Sequence, residues 1–196
     1  MTLSSNPVLN AVLTRHSATR LTAPAPTPEE LVELVRAAAT APDHGRLRPW
    51  RLIPVTGDER RRLGDVLGEA ATTPEQARRA AEKPLRAPLL LSIVFCPVRD
   101  QPKVPEWEQL AATAGMVTTL ELLLDSCGWG SIWRTGAAVE TPQVRKHLGV
   151  DDGEQLLGWL YVGTRAGTGT VRERPPLDAH TKITWAHAPN GAATTP

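Results

Sequence analysis

"EWEQLAATAGMVTTLELLLDSCGWGSIWRTG", residues 106–136, holds the longest helical pattern in the chain and the turn that ends it. Pro105 precedes it, and Glu106 and Glu108 stand where a helix's positive end favours carboxylates. Apolar and small residues then continue on nearly every face, which predicts a helix over Glu106–Cys127 that is central and buried on most sides. Gly128 stops it, and "SIWRT" reads as a short strand. Two tryptophans and an arginine sit among three glycines in "GWGSIWRTG", in a chain with only one tyrosine and one phenylalanine. Taken alone, that segment is either an aromatic platform beside a fixed charge or a core strand between two turns.

Working outward, a short helix is expected from Pro7, capped by Asn6, with Val8, Leu9, Val12 and Leu13 on one face. The prolines of "RHSATRLTAPAP" argue against regular structure, so Arg15–Arg20 is expected as an exposed turn or loop. Thr27, Pro28 and Glu30 form a capping box for a helix with Leu31, Leu34, Val35 and Ala38 inward. "APDHGRLRP" reads as a loop and "WRLIPVT" as a strand. Helices are expected from Asp58 to about Ala70, over "TPEQARRAAEKP", and over "TPQVRKHLG" with Thr141 as cap and Gly149 as stop. Leu89–Cys96 and "EQLLGWLYVGT" read as strands. Strands interleaved with helices give a layered α/β or α+β fold around one sheet.

The 196 residues are expected to form one domain, 1–196, with a mobile tail from about residue 187. A net charge of +1 gives no electrostatic case for nucleic acid or an anionic membrane. Cys96 and Cys127 are too few for a disulfide framework and read as free thiols in a reducing compartment. The N-terminus lacks the pattern of a signal peptide, and "APLLLSIVFCPV" is too short to span a bilayer, so a cytoplasmic protein is expected.

The sequence lacks GxGxxG, the P-loop, HExxH and GxSxG, and its five histidines and two cysteines never fall at metal-ligand spacing. No metal and no side-chain nucleophile are expected. In "RHSATR", Arg15, Ser17 and Arg20 suit a phosphate, because guanidinium binds it bidentately; the same residues also read as a solvated charge cluster. His44, beside Asp43 in a Gly/Pro loop with Arg46 and Arg48, reads as a surface turn or a catalytic base. Trp107, on the first turn of the long helix, belongs either to the core or to a pocket wall.

In this order, "RHSATR", "PAPTPEELVELVRAAATAPDHGRLRPWR", "RAPLLLSIV", "KVPEWEQ", "GWGSIWRTG" and "LLGWLYVGT" resemble the FMN-dependent nitroreductase family, in its short NAD(P)H nitroreductase (YdjA-type) branch. The resemblance runs from about Leu9 to about Thr164. It implies an α+β fold with a central, mainly antiparallel sheet flanked by helices. It also implies an intertwined homodimer with two FMN sites at the interface. Carried over residue by residue, Arg15, His16 and Ser17 are expected to bind the FMN phosphate and ribityl chain. His44 is expected as a flavin contact, and Trp133, Arg134 and Thr135 are expected beside the isoalloxazine ring. Leu123–Gly128 is the corresponding nicotinamide segment, so Leu123 and Gly128 join Trp107 as candidates for the nicotinamide or substrate pocket.

The implied activity is hydride transfer from NAD(P)H through flavin N5 to a small acceptor (nitroaromatic, quinone or enone) in a ping-pong cycle, with the chemistry carried by flavin. The sequence departs from the family twice. The usual Asn-x-Gln-Pro-Trp loop reads Arg46-Leu47-Arg48-Pro49-Trp50, whose cations either meet the flavin's polar edge or point away. The C-terminal cations that complete the phosphate site have only Arg172 and Arg174 as counterparts. These departures keep an alternative open: an FMN-binding protein that sequesters or consumes flavin without general NAD(P)H reductase activity.

Overall fold

The structure, a computed structural model, describes residues 6–167 and 174–186. In chain order its elements are α1 (Pro7–Thr14), β1 (Leu21–Thr22), α2 (Pro28–Ala38), β2 (Trp50–Thr56), α3 (Glu59–Glu69), α4 (Pro74–Ala81), β3 (Leu89–Phe95), α5 (Glu106–Ser126), β4 (Gly130–Arg134), α6 (Pro142–His147) and β5 (Gln155–Arg165). Short 3-10 turns occupy His44–Arg46, Lys83–Arg86, Ala137–Glu140 and Ala179–Lys182.

Local chemistry sets the helix starts. The Asn6 side chain accepts from the Val8 and Leu9 amides at 2.9 and 3.1 Å. Thr27 and Glu30 form the expected reciprocal box, and the Thr73 hydroxyl accepts from Gln76 at 3.3 Å. A two-residue strand at Leu21–Thr22 departs from the sequence expectation. It pairs with Arg165 and Thr164, so β5 supplies what local propensity does not.

The strands run in the order β1-β5-β3-β2, with β4 also on β5, and every pairing is antiparallel. This is an α+β sheet between helices. Strand β3 is buried along its whole length, as its apolar run, broken only by Ser92, leads one to expect. On one face Leu89, Leu91, Ile93, Leu160 and Val162 pack against α2 and α5 through Leu34, Met116 and Leu120. On the other, Leu90, Val94 and Tyr161 pack against α3 and α6 through Leu63, Leu67 and Val144.

Strand β5 carries a bulge. Ile93 faces Gly158 and Val94 faces Leu156, which leaves Leu157 unpaired in the β3 ladder. One extra residue flips the side-chain alternation. Leu156, Trp159 and Tyr161 therefore share the α3 face, while Leu157 and Leu160 lie toward α5. Gly158 makes the bulge possible at φ 124°, a backbone region open to glycine.

The reading of α5 needs correction. Gln109, Ala112, Thr113, Met116, Val117, Leu120 and Leu124 are buried, which is a single stripe at helical spacing. The opposite side leaves Trp107, Leu110, Ala111 and Thr118 exposed. It looked buried in sequence because it carries few charges and mostly apolar or small residues. Its threonines also hide their hydroxyls: Thr118 donates to the Ala114 carbonyl at 3.0 Å and Thr119 to Gly115 at 2.8 Å. Helix α1 buries none of its residues, and Leu177, Ile183 and Trp185 in the C-terminal arm are exposed as well. No helix among the described residues is long and apolar enough to cross a membrane.

Far from these surfaces, Glu154 ties β2, β3 and β5 together. It accepts from Arg51 Nε at 2.8 Å and Nη2 at 2.6 Å, from the Asp151 amide at 3.0 Å and from the Cys96 thiol at 3.1 Å. The Arg51 hydrogen bonds lead in holding its pKa down to about 2. A carboxylate depressed in the folded state stabilises fully above its ordinary pKa of 4.5, and the contribution is lost as pH falls through the folded value. The Tm advantage of the native protein over Glu154→Gln should therefore shrink as pH falls from about 5 to about 2. A gap constant across that range would contradict the assignment.

Burial, then the bond to Glu154, pushes the Cys96 thiol up to about 12, so it stays protonated and slow to react. Cys127 is free and exposed. A thiol reagent near pH 8 should label Cys127 in the native protein and Cys96 only after unfolding; peptide mapping distinguishes the two.

Candidate functional site

Strand β4 organises the site. The loop after α1 is tied to its start by the Ala18 amide, which donates to the Ser131 carbonyl at 2.8 Å. That contact sets Arg15 and its neighbours beside β4. Arg15 is half-buried, and its Nη1 is fully buried without a hydrogen-bond partner among the described residues. A buried, unpaired guanidinium donor is unfavourable unless something brings it an acceptor.

Beside it lies Glu121, on the face of α5 toward β4. Burial pushes its carboxyl up from the ordinary value, while the Arg15 charge and the Trp133 backbone N–H pull it back. Arg174 reaches the same loop, donating to the carbonyls of Arg15 and, at 3.5 Å, Val12. Arg172 lies outside the described residues. The His16 ring sits 3.1 Å from the Thr14 carbonyl. Next to it Ser17, Arg20 and Arg165 line a small cleft of about 80 Å³.

The "WRT" segment divides between the two faces of the sheet. The Trp133 ring packs on the α5-side core, and its Nε1 donates to the Leu157 carbonyl that the bulge sets free, at 3.3 Å. Trp129 packs on the same core. Trp133 therefore offers its backbone, not its ring. Arg134 turns the other way and lies over the Tyr161 ring, 5.6 Å from its centroid. Thr135 and Gly136 follow the last β4–β5 pair at Arg134.

His44 sits elsewhere. Its Nδ1 lies 2.9 Å from Glu108 Oε2, at the start of α5, and its ring is exposed. Arg46 and Arg48 follow in left-handed backbone, at φ 53° and 46°, which is strained for arginine. Asp43 holds the turn by accepting from the Arg48 amide at 2.7 Å. Both arginines border a hollow of about 380 Å³ with Thr40 and Pro42. Trp107 is exposed and belongs to no core in its own chain. Leu123 packs partly on the α5 core. Gly128 ends the helix at φ 86°, its carbonyl 3.4 Å from Arg165 Nη1.

Within one chain, then, the structure gathers Arg15, Ser131, the Trp133 backbone and Arg174, but not His44, Arg46, Arg48 or Trp107. Glu108, which holds His44, and Glu121, beside Arg15, are thirteen positions apart on α5, about 20 Å at 1.5 Å per residue. Glu121 escaped the sequence reading, although it is the sole carboxylate between Glu108 and Asp125 in an otherwise uncharged helix segment. That was the available signal.

A Nitroreductase family model matches residues 12–164. The Escherichia coli (strain K12) protein named "Putative NAD(P)H nitroreductase YdjA" is 36% identical over 179 residues, covering 89% of this chain and 92% of that one. A Haemophilus influenzae protein named "Putative NAD(P)H nitroreductase" is 29% identical, over 80% of this chain and 87% of its own. Among solved structures, a nitroreductase-like family protein from Bacillus cereus superposes with a TM-score of 0.79 at 24% identity, covering 94% of this chain and 98% of that chain. NfnB from Sphigopyxis sp. strain HMH, described as an FMN and NADPH-dependent nitroreductase, gives 0.71 at 20% identity, over 93% and 100%. The order of motifs, the antiparallel sheet between helices and a family match spanning most of the chain agree: this protein belongs to the nitroreductase family.

Proposed function

We propose that this chain is an FMN-dependent oxidoreductase that takes reducing equivalents from NAD(P)H. The observation that carries the reading is the buried, unpartnered Nη1 of Arg15 beside β4. The donor set fits a phosphate-bearing cofactor: Arg15 is unsatisfied, while Ser17 and Arg174 stand on or against the same loop. The chemistry FMN supplies when bound is two-electron transfer from NAD(P)H to a small acceptor such as a nitroaromatic, quinone or enone, in two half-reactions.

The chain's own part is to bind and orient. Arg15, His16, Ser17 and Arg174 hold the phosphate and ribityl end. The backbone of residues 133–136 faces the ring. Glu121 keeps Arg15 and the Trp133 amide in place, and Leu123 and Gly128 border the nicotinamide approach.

The working form is a homodimer. Its interface is the uncovered stripe of α5, from Trp107 through Ala111 to Thr118, extended by α1 and the C-terminal arm. Two copies of α5 packed antiparallel carry His44, Arg46, Arg48 and Trp107 of each chain toward the Arg15 end of the other. That arrangement removes the 20 Å separation on a single helix.

Anaerobic titration tests the proposal. The purified protein should be yellow and should bleach with NADH or NADPH. Bound flavin that dithionite reduces and neither nicotinamide does would replace this reading with flavin storage or consumption. A colourless protein whose melting temperature FMN does not change would end both.

A further inference from the structure

Helix α5 ends against its own dipole. Asp125 lies in its last turn, where the carbonyl end disfavours a carboxylate, and that turn holds no basic residue. The missing charge comes from β5. Arg165 Nη2 donates to Asp125 Oδ1, and Nη1 reaches the Gly128 carbonyl at 3.4 Å. The pair is largely withdrawn from water: the Asp125 side chain is 15% exposed and that of Arg165 29%. Partly buried charges of this kind are screened far less than surface ones.

The Arg165 side chain takes a narrow path. Its stem crosses Gly130, where an added Cβ would lie 2.8 Å from Arg165 Cγ and 3.1 Å from Ala18 Cβ. In the main chain, Arg165 pairs with Leu21, and the Ala166 amide donates to the Arg20 carbonyl at 3.1 Å. Residues 16–20 line the same small cleft as Arg165. One residue thus holds the cofactor loop through its backbone and the α5–β4 turn through its guanidinium. The Gly128 and Trp129 amides close that turn on the Asp125 and Leu124 carbonyls, at 3.0 and 2.9 Å. Those bonds shape the turn from within; Arg165 fixes it from outside.

We propose that Arg165 is a positioning residue for the nicotinamide nucleotide. It neutralises Asp125 and holds residues 125–128 against residues 16–20. This role rests on the functional reading above, in which Leu123 and Gly128 border the nicotinamide approach. Without the guanidinium, an unpaired carboxylate stands beside the path of a dinucleotide whose phosphates are negative, and the turn loses its outer tie. Both effects fall on nicotinamide binding rather than on the electron transfer that follows.

Anaerobic stopped-flow reduction of the flavin-loaded protein by NADH and by NADPH tests this without any acceptor. It separates the half-saturating nicotinamide concentration from the limiting rate. Arg165→Met is expected to raise the half-saturating concentration about fivefold or more, since removing one partner leaves a partly buried charge uncompensated. The limiting rate and the flavin content should change much less. Arg165→Lys keeps the charge and should recover part of the loss. Asp125→Asn, whose amide still accepts from Arg165, should shift the value less than Arg165→Met does. Hydrogen exchange gives a readout independent of turnover: the Gly128 and Trp129 amides should exchange faster in Arg165→Met than in the native protein. Native half-saturation in Arg165→Met would overturn the proposal, and so would a lysine variant no better than methionine. Flavin lost while the nicotinamide dependence stays native would make Arg165 a cofactor ligand instead. If Arg165→Met does not fold, native half-saturation in both Arg165→Lys and Asp125→Asn would overturn it equally. Native protein that neither nicotinamide reduces would end the functional reading and the nicotinamide role with it, and exchange alone would then decide whether Arg165 holds the turn.

Discussion

Arg15→Ala is expected to lose about 1.5–3 kcal/mol of FMN affinity, the range of a hydrogen bond to a charged group, or roughly 10- to 150-fold in Kd. The reasoning begins with solvation. Arg15 Nη1 is buried and unpaired, so its desolvation already weighs against the free protein, and an incoming phosphate gains the bond at little further cost. The substitution also leaves Glu121 in a half-buried setting without the positive charge that partly offsets its desolvation. Flavin content on purification and Kd from flavin fluorescence measure the loss. Unchanged values for both would mean that another group holds the phosphate.

A second experiment asks how the site is shared between copies. Arg15→Ala and His44→Ala should each bind flavin poorly as homodimers. Co-expressed with different tags and purified as the mixed species, they should recover one intact site per dimer, because the two lesions then fall in the same site. Recovery of none would place Arg15 and His44 at a flavin within one chain, against the distance along α5.

Gly158→Ala is expected to be the most damaging single substitution near β4. An added Cβ would lie 2.4 Å from the Arg134 carbonyl oxygen and 3.1 Å from Trp133 Nε1, at φ 124°. The strand has no flexible side chain there to yield; backbone must move. Strain in a glycine-only region and displacement of β4 together should cost about 3–4 kcal/mol, or about 6–16 °C in Tm for a chain of this size. Trp133→Phe removes only the indole bond to Leu157 and should cost about 1 kcal/mol. Thermal melts of the two variants separate the effects. A Gly158→Ala protein melting like the native one would mean that the bulge relaxes freely.

These two sites mark what sequence could and could not deliver. Helix starts were legible because Asn6, Thr27 and Thr73 act on amides two or three residues away. The β3 run was legible because six apolar residues, broken only by the small Ser92, fit a strand buried on both sides. The bulge at Leu157 was not, since an extra residue is defined only against its partner β3. With it went the parity of β5, which has no local signature. Strand β1 was missed because two residues just before Pro24 carry no pattern, and only β5 makes them a strand. The open side of α5 was misread because apolar and small residues carry no local mark of whether their own chain covers them. As for the site, the motifs named most of its candidate residues through resemblance. Their separation along α5 required coordinates, and Glu121 went unread because its effect depends on β4 standing beside it.

The bare stripe on α5 has a consequence for how the protein behaves in dilute solution. If the proposed homodimer covers that side of the helix, part of the subunit's stability comes by mass action and varies with the logarithm of concentration. Cofactor retention follows the same law if each flavin needs elements of two chains. Diluted samples should then shed flavin faster than their Kd alone predicts, and the population of complete sites in a cell would follow the amount of protein made before it followed the supply of FMN.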